Sequence, residues 1–449
     1  MKYVIIGNSA AGIGAVEGIG AVKAAFAAKA AGAAKAGQND KQDEITIITN
    51  ETHHTYSRPL ISYLLLGKVT EQSMKYRGDS FYSDNNVTFL SGVTVTKIDA
   101  EKKLLSLSNG NNVLREAPPA VPYDKLLVAT GSSPFVPPFE GLDTVKDKVT
   151  FMSLDDARKL DQMLSAAASK NKNGAEVLII GAGLIGLKCA EGISRKASKI
   201  TIIDIAPRIL SSILDDTGAS IVQKHIQEQS PCVEFKLSAS VKKFDGSCAV
   251  LENGESINFN VLVLAVGVRP NTALLKGIAE IDRGIIVNSK SETSAKDIYA
   301  AGDCTQTQDI SSGQNKIMAL LPNAYMQGEC AGINMAGGKK EFDKAIPMNA
   351  IGFFGLHIIT AGNYSGETYV MKSEEPEEKE KNKIYKKLFY SDNKLNGYIM
   401  IGNVEKAGIY TSLIREQTAL DSIDFALVCE KPGLMAFTKE DRKAKLGRG

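Results

Sequence analysis

The segment from Val177 to Asp204 constrains this chain more than any other stretch. An apolar run ends at Gly181, and Gly183 and Gly186 complete the pattern G-x-G-x-x-G before a stretch of helical composition. A second apolar run follows and ends on Asp204, 23 residues after Gly181. This order is typical of a β-α-β unit in which a dinucleotide pyrophosphate lies against the helix N-terminus. The sequence therefore predicts a dinucleotide site here.

Each glycine of this unit has a physical role. Gly181 allows the tight turn, Gly183 lets backbone N–H groups approach the pyrophosphate, and Gly186 lets the helix pack close to the strand. Asp204 is expected to accept hydrogen bonds from a ribose diol and to repel a 2′-phosphate, which favours NADH over NADPH. Arg208 lies four residues further on and could bind a 2′-phosphate, so NADPH stays an alternative nucleotide.

A second phosphate-binding turn lies at the start of the chain. Tyr3–Ile6 is typical of a buried strand, and Gly7–Gly12 follows it with Ser9 in the place of the middle glycine. A small side chain at that place still lets the backbone approach a phosphate. The sequence therefore predicts two dinucleotides, one at each turn.

The helix after the first turn is predicted to carry an exposed extension, Ala21–Gly37. This stretch is rich in alanine with lysine every few residues, so it favours helix but supplies little for a core. Subtracting ~20 inserted residues restores the usual spacing from Gly7 to an acid that binds ribose. That acid is predicted to be Glu51, with Asn50 beside it.

The length, charge and cysteine content of the chain argue against several classes of protein. A chain of 449 residues predicts two to three domains, and a net charge of +2 gives no reason to expect nucleic acid or a membrane surface as partner. The chain opens on a strand rather than a signal peptide, which favours the cytoplasm. Six scattered cysteines, with no C-x-x-C pair, make disulfide, iron–sulfur and zinc sites improbable, and no metal site is expected around His53 and His54.

The chain resembles the FAD- and NAD(P)-dependent pyridine nucleotide oxidoreductases over nearly its whole length. Within that family, Tyr56–Ser62 (YSRPLIS) and Ile401–Arg415 resemble NADH:rubredoxin reductases, ferredoxin reductases and the flavin region of nitrite reductases. The motifs that carry the family resemblance are GNSAAG at Gly7–Gly12, LLVATGSSP at Leu126–Pro134, GAGLIG at Gly181–Gly186, LAVGVRPN at Leu264–Asn271 and IYAAGDC at Ile298–Cys304.

The resemblance implies an α/β fold with two Rossmann-like domains, for FAD and NAD, and a C-terminal α+β domain. The implied division is 1–150 and 268–345 for FAD, 151–267 for NAD, and 346–449 for an interface domain. The residues implied to bind FAD are Gly7, Ser9, Ala10, Ala11, Gly12, Asn50, Glu51, Arg58, Pro59, Thr130, Gly131, Gly302, Asp303, Pro322 and Asn323. Those implied to bind NADH are Gly181, Gly183, Leu184, Ile185, Gly186, Asp204 and Gly267.

Two departures from the family pattern bear on the chemistry. Disulfide reductases and related oxidases carry cysteine in the segment that corresponds to Tyr56–Ser62, and this chain has none there. Many relatives also carry a lysine in the place of Tyr63 and a glutamate in the place of Lys188, as a pair beside the flavin. Here we expect Lys188 to lie near the nicotinamide or flavin and favour the anionic flavin, with Tyr63 beside it; the alternative is a surface lysine.

The resemblance implies hydride transfer between NADH and FAD, and single-electron transfer to or from a small ferredoxin- or rubredoxin-type carrier. Without a thiol at the flavin, electrons are expected to leave it directly. Two alternatives stay open: an NADH oxidase or diaphorase that uses oxygen or a quinone, and a non-catalytic NADH sensor. The C-terminal domain is expected to form a homodimer or to dock the carrier.

Overall fold

The computed structural model describes residues 1–32, 43–110, 117–171, 174–373, 384–433, 437, 440 and 442. The chain divides into two compact units. The first unit comprises Met1–Ser57, Glu71–Ser133 and Arg269–Ala345, and the second comprises Arg58–Thr70, Pro134–Val268 and Ile346–Gly449.

The helices and strands of the described residues are numbered in chain order. The helices are α1 (Ala10–Gly32), α2 (Ile61–Leu65), α3 (Phe81–Asp84), α4 (Leu154–Lys170), α5 (Leu184–Ile193), α6 (Asp216–Gln229), α7 (Leu321–Met335), α8 (Ala407–Arg415) and α9 (Phe425–Glu430). The strands are β1 (Lys2–Ile6), β2 (Glu44–Thr49), β3 (Val87–Ser91), β4 (Val93–Asp99), β5 (Leu104–Asn109), β6 (Ala120–Pro122), β7 (Lys125–Val128), β8 (Ser132–Pro134), β9 (Lys148–Thr150), β10 (Ala175–Ile180), β11 (Ala197–Ile203), β12 (Val233–Lys236), β13 (Val241–Asp245), β14 (Cys248–Leu251), β15 (Ser256–Asn258), β16 (Val261–Leu264), β17 (Val268–Pro270), β18 (Ile285–Ile286), β19 (Ile298–Ala300), β20 (Thr305–Gln308), β21 (Asn315–Lys316), β22 (Met348–Phe353), β23 (Leu356–Gly362), β24 (Glu367–Ser373), β25 (Ile384–Ser391) and β26 (Lys394–Ile401).

The first unit is built on a parallel sheet with the order β19-β7-β1-β2-β3. Its central strand β1 is buried from Tyr3 to Ile6, as its apolar run predicts. Ile6 pairs with Ile48 on one side and with Val128 on the other. The carboxyl ends of these strands therefore meet at one edge of the sheet, where the Gly7–Gly12 turn lies.

The second unit repeats this arrangement with a parallel sheet of order β12-β11-β10-β16-β9. Ile180, at the end of β10, pairs with Ile203 and with Leu264. The edge strand β9 belongs to this sheet, so the chain enters the second unit before the start predicted at residue 151. The four-part division of the chain otherwise stays a prediction.

Helix α1 packs against α7 through glycines on both helices. A Cβ on Gly14 would lie 2.4 Å from the carbonyl oxygen of Tyr325, and one on Gly332 would lie 2.2 Å from that of Ala15. The two backbones therefore touch, which fixes the first half of α1 along the length of α7. The predicted helical extension continues to Gly32, and Phe26 in it is 56% exposed; residues 33–37 lie outside the described residues.

The C-terminal part of the second unit is an antiparallel sheet of order β22-β23-β26-β25-β24, with α8 packed against it. Tyr398 and Tyr410 are fully buried between the sheet and α8, with ring centroids 5.6 Å apart. The expected α+β character of this region is confirmed.

Candidate functional site

The first glycine turn is closed so tightly that only glycine fits at its ends. Gly7 has φ +122°, and a Cβ there would lie 2.1 Å from the carbonyl oxygen of Ala129. A Cβ on Gly12 would lie 2.1 Å from the carbonyl oxygen of Gly7. Because α1 begins at Ala10, the N–H groups of Ala10, Ala11 and Gly12 have no acceptor within the helix and are free for an anion.

The glycine turn, the Gly302–Asp303 segment and the start of α7 lie together in the first unit. Gly302 has φ +83°, and a Cβ there would lie 3.3 Å from Cβ of Ala11 and 3.5 Å from Cβ of Ala324. Its N–H donates to Oε1 of Gln327 at 2.8 Å. Asp303 accepts a hydrogen bond from Oγ of Ser132 at 3.1 Å. The structure therefore brings the predicted ribitol ligand Asp303 beside the predicted pyrophosphate turn.

Helix α7 begins at Leu321, with Pro322 in its first turn and Leu320 as a cap residue that offers no side-chain hydrogen bond. Proline in the first turn costs no helical hydrogen bond. Asn323 is 4% exposed. The predicted helix start is thus present. Its N-terminus, which is the positive end of the helix dipole, lies next to Gly302, because Ala324 of the first turn is within contact distance of Gly302.

The predicted crossing between the dinucleotide domains is held by reciprocal hydrogen bonds. Oγ1 of Thr130 donates to the carbonyl oxygen of Asn271 at 2.7 Å, and Nδ2 of Asn271 donates to the carbonyl oxygen of Thr130 at 2.9 Å. Gly131 and Gly267 both have positive φ, and a Cβ on either would meet nothing within 4 Å. These glycines are needed for the turn of the chain, not for a close contact.

The second glycine turn, in the other unit, repeats the contacts of the first. Gly181 has φ +112° and a Cβ there would lie 2.3 Å from the carbonyl oxygen of Ala265. A Cβ on Gly186 would lie 2.0 Å from the carbonyl oxygen of Gly181. Gly183 differs, because it is the cap residue of α5, offers no side-chain bond, and a Cβ there would meet nothing within 4 Å. Open space therefore faces the first N–H groups of α5, those of Leu184, Ile185 and Gly186.

Asp204 follows β11 directly and is fixed to the turn. Its Oδ2 accepts the N–H of Ala182 at 2.6 Å, and its Oδ1 accepts the N–H of Ala206 at 2.8 Å. A carboxylate has lone pairs for further donors, so this arrangement orients Asp204 and still permits hydrogen bonds from a ribose. Arg208, which left NADPH open, forms an ion pair with Asp216 at 3.2 Å.

Glu51 does not occupy the place in the first unit that Asp204 occupies in the second. The N–H of Gly7 donates to Ile48 as that of Gly181 donates to Ile203, so Thr49 is the residue equivalent to Asp204. Glu51 lies two residues later, partly exposed, beside Asn50. The role predicted for both residues at the FAD ribose stays a prediction.

The segment after Glu51 enters the second unit at Arg58. A short 3-10 helix, Arg58–Leu60, leads into α2, and the Arg58 guanidinium donates to the carbonyl oxygen of Met152 at 3.3 Å. Pro59 is exposed. The roles of Arg58 and Pro59 along a flavin stay predictions.

Lys188 is neither a surface lysine nor an isolated cation. Its side chain is 13% exposed, its ammonium lies 4.3 Å from the ring centroid of Tyr63, and it forms an ion pair with Glu191. The sequence prediction missed Glu191, although its place one helical turn after Lys188 is the spacing at which charged side chains meet. A catalytic role for Lys188 and Tyr63 stays a prediction.

The cysteines are free thiols, and none lies in Tyr56–Ser62. Cys304, next to Asp303, is fully buried and donates to the carbonyl oxygens of Val128 and Ala301. Burial raises the pKa of its thiol to about 11, and burial also raises that of Cys189. Neither side chain is therefore a thiolate at neutral pH.

The described residues contain neither a candidate metal site nor a candidate membrane span. No three His, Cys, Asp or Glu side chains there are grouped as a metal ion requires. Nor does any helix in those residues combine the length and the apolar composition of a membrane span.

Both turns fit a dinucleotide. Each has two glycines in backbone contact that form a cradle, followed by a helix whose first N–H groups lack internal acceptors. In the second unit, the cap position of the helix is open and a carboxylate is fixed at the turn. These observations fit a pyrophosphate at each turn and a ribose at the second.

Family models match two parts of the chain. One, described as pyridine nucleotide-disulphide oxidoreductase, matches residues 1–328. The other, described as the rubredoxin NAD+ reductase C-terminal domain, matches residues 347–418.

Curated relatives and solved structures resemble the chain over most of its length. It is 29% identical to the NADH-dependent phenylglyoxylate dehydrogenase subunit epsilon of Aromatoleum evansii, over 93% of this chain and 92% of that protein. It is also 29% identical to a nitrite reductase [NAD(P)H] of Bacillus subtilis, over 93% of this chain but 47% of that protein, so it spans about half of that relative. The crystal structure of NADH:rubredoxin oxidoreductase from Clostridium acetobutylicum superposes with a TM-score of 0.68 at 24% identity, and covers 94% of this chain and 97% of that one.

Proposed function

The chain belongs to the pyridine nucleotide-disulphide oxidoreductase family, and from this premise we propose that it passes electrons between NADH and a small iron–sulfur or rubredoxin-type carrier protein. The fold class predicted from the sequence is confirmed, as are FAD and NAD(H) as cofactors. The enzyme class, an FAD-dependent NADH oxidoreductase, is also confirmed.

One observation carries the choice of acceptor: residues 347–418 match the C-terminal domain of rubredoxin NAD+ reductase. The relative in Aromatoleum evansii, named as a subunit of an NADH-dependent dehydrogenase, supports NADH as the nucleotide. The cysteines point the same way, because Cys304 and Cys189 are buried, protonated thiols that cannot take up electrons as a disulfide would.

The chain's own residues bind and orient the two nucleotides. FAD, when bound, supplies the two-electron chemistry toward NADH and the one-electron chemistry toward a carrier. The N–H groups at the start of α1 would hold its pyrophosphate and Asp303 its ribitol, while the N-terminus of α7 would stabilise negative charge on the reduced ring. Gly183 and the start of α5 would hold the NADH pyrophosphate, with Asp204 on the ribose.

Preference for NADH follows from the charges at the second turn. A 2′-phosphate would meet the Asp204 carboxylate, which is held in place by two backbone N–H groups. Arg208 is engaged with Asp216 and with the carbonyl oxygens of Leu214 and Ser211. We therefore expect NADH to be used in preference to NADPH.

The test is an anaerobic acceptor panel. The FAD-loaded protein is mixed with NADH and, in turn, a rubredoxin, a [2Fe–2S] ferredoxin and a [4Fe–4S] ferredoxin, and carrier bleaching is followed; the reverse arm uses reduced carrier with NAD⁺. Rapid turnover with at least one carrier is expected. Fast oxygen consumption in air, with no carrier reduced, would instead identify an oxidase, and slow reoxidation by every acceptor would indicate a sensor.

Homodimer formation and a cytoplasmic location stay predictions. Sedimentation of the FAD-loaded protein, alone and with the carrier that turns over, tests the first. The C-terminal domain would then be assigned to self-association or to carrier docking.

A further inference from the structure

Tyr82 carries a buried hydroxyl that joins three segments of the first unit. The residue lies on α3 and is 9% exposed. Its hydroxyl donates to Oδ1 of Asn8 at 2.8 Å and accepts the N–H of Thr55 at 3.2 Å. The hydroxyl therefore connects α3 and the first glycine turn with the segment that follows β2, and all three residues belong to the first unit.

The position of this hydroxyl is fixed by the packing of its ring. The Tyr82 ring stacks on that of Phe89 in β3, with centroids 4.2 Å apart and an angle of 4° between the planes. The ring of His54 lies against it, with centroids 4.9 Å apart. Burial raises the pKa of the Tyr82 hydroxyl. The hydroxyl therefore keeps its proton at neutral pH and acts as a donor.

The hydrogen bond with Tyr82 sets the orientation of the Asn8 amide. The hydroxyl oxygen already accepts from Thr55, and a buried hydroxyl proton without an acceptor would be costly. Its acceptor is the amide oxygen of Asn8, which directs the amide N–H2 group elsewhere. Asn8 is half-buried and makes no other side-chain hydrogen bond with the described residues. With its oxygen engaged, Asn8 therefore presents two unused N–H donors.

Asn8 lies between Gly7 and Ser9, in the turn where the first N–H groups of α1 are free for an anion. We propose that Asn8 is a further binding residue for the dinucleotide of this turn, that its amide N–H2 donates to an oxygen of the pyrophosphate, and that Tyr82 is the positioning residue that orients this amide. In taking the dinucleotide to be FAD, the proposal rests on the proposed function. A donor suits this place, since a pyrophosphate is negatively charged and offers only acceptors.

Aspartate at position 8 separates binding from structure. Asn8→Asp keeps an oxygen for the Tyr82 hydroxyl, so the link to α3 is retained, but it replaces the donors with a carboxylate oxygen. Its FAD dissociation constant is expected to rise about 100-fold at low salt, and by less at high salt, because ionic strength screens the repulsion. Asn8→Ala removes the donors without adding charge and is expected to raise the constant about tenfold.

The role of Tyr82 is tested by a double-mutant cycle. Tyr82→Phe keeps the stacked ring and removes the hydroxyl, so the Asn8 amide loses its fixed orientation and FAD should bind about threefold more weakly. In the Asn8→Ala background the same substitution should have no further effect on FAD binding, because the amide that Tyr82 orients is gone. A substitution that only loosened the first unit would weaken FAD binding equally in both backgrounds.

The measurement is the FAD dissociation constant of each apoprotein, from the change in flavin fluorescence at low and at high salt. Thermal unfolding of the same apoproteins is recorded alongside. Asn86→Asp is the matched control, because it makes the same chemical change at an exposed residue that precedes β3, at the edge of the parallel sheet opposite to the glycine turn. Its FAD dissociation constant should equal that of the parent.

Equal FAD affinity in Asn8→Asp and in the parent, at unchanged thermal stability, would overturn the proposal and leave Asn8 a structural link to Tyr82. Equal effects of Tyr82→Phe in both backgrounds would overturn the role given to Tyr82. Should Asn8→Asp fail to fold, the loss in Asn8→Ala and its coupling with Tyr82→Phe decide. A parent that binds FAD but reduces no carrier refutes the proposed function and leaves these affinities valid, whereas full FAD affinity in Gly12→Val would refute this turn as the FAD site.

Discussion

The two glycine turns are built alike where the backbone closes and differently where the ligand would lie. A Cβ on Gly12 or on Gly186 would fall 2.1 or 2.0 Å from the carbonyl oxygen of the first glycine of its turn. At the middle position one turn has Ser9 and the other Gly183, whose Cβ would meet nothing. The first and third glycines are therefore required by the fold, whereas the middle glycine is required only by what binds there.

The helices that follow the turns are fastened in different ways. Helix α1 is held to α7 by backbone contact at Gly14 and Gly332. Helix α5 is held by the Lys188–Glu191 pair and its contact with Phe354. A contact between backbones cannot be tuned by charge, whereas a buried ion pair can. Helix α1 carries an ion pair as well, between Glu17 and Arg77, but both of those side chains are more exposed to solvent than Lys188 and Glu191, so a charge substitution is expected to act more strongly on α5.

The largest expected effect comes from valine at the third glycine of each turn. Because the new side chain would overlap a backbone carbonyl, the turn must shift, at a cost of roughly 1–3 kcal/mol or more. Gly12→Val is expected to yield protein without flavin absorbance. Gly186→Val is expected to retain FAD and to lose about 100-fold or more in kcat/KM for NADH with an artificial acceptor. Loss of FAD from both variants would contradict the assignment of separate sites.

The middle position gives the next largest effect. Gly183→Ser puts a side chain into the open space before α5 and is expected to raise the KM for NADH about tenfold, with unchanged thermal stability. Ser9→Gly should change the FAD dissociation constant by no more than about threefold, because a small side chain is already accommodated there. A large loss of stability in Gly183→Ser would show that the fold needs this glycine after all.

Substitution of the acidic residue that follows the second strand of each sheet should have a larger effect at Asp204 than at Glu51. Asp204→Asn removes the charge that orders the turn and opposes a 2′-phosphate, so the preference for NADH over NADPH should fall by about tenfold. Glu51→Gln should weaken FAD binding by a smaller factor, since Thr49 occupies the position equivalent to Asp204. Kinetics with both nucleotides, and FAD titration of the apoprotein, measure the two effects. An unchanged nucleotide preference in Asp204→Asn would remove the basis for expecting NADH.

The smallest effect concerns stability in acid, for which one lysine-paired aspartate of each unit is compared. Hydrogen bonds from Lys103 and Lys125 lower the pKa of Asp297 to about 2. A pKa lowered by folding contributes stability above the unfolded value near 4, and that contribution is lost as pH falls from about 4 to about 2. Asp297→Asn should flatten this part of the stability–pH curve, by no more than about 1 kcal/mol because Lys103 is partly exposed.

Asp215 is the counterpart in the second unit. Burial raises its pKa, but hydrogen bonds from Tyr385, the Gly218 N–H and Lys387 outweigh burial and lower it. Its contribution to stability should therefore be lost in the same direction as pH falls. The free energy of unfolding of Asp215→Asn and Asp297→Asn is measured by thermal unfolding between pH 2 and pH 7. Differences from the parent of roughly 1 kcal/mol are expected, and their sizes compare the two units. A curve that is unchanged in either variant shows that its lysine contacts are solvent-screened.

Local sequence patterns were sufficient to predict the glycine turns and the starts of helices. Ser153 and Asp156 form the cap of α4 that their spacing indicates, with each side chain bound to the backbone of the other. The number of residues between Gly7 and Glu51 was not sufficient to place Glu51 in the sheet, because an insertion before β2 hides the register of that strand. Pairing of Ile6 with Ile48 makes Thr49 the equivalent of Asp204, and this pairing is a property of the sheet, not of the count of residues.

The two dinucleotide-binding units could be predicted from local sequence, because strand, glycine turn and helix are contiguous and each follows from periodicity and backbone freedom. The surroundings of Lys188 could not be predicted in this way, because its partners Tyr63 and Gly352 are more than a hundred residues away in opposite directions along the chain. Local sequence fixes the backbone of a turn through steric limits that act between near neighbours. The charge environment of a side chain depends on which distant segments the folded sheets bring to it, and no local pattern encodes that.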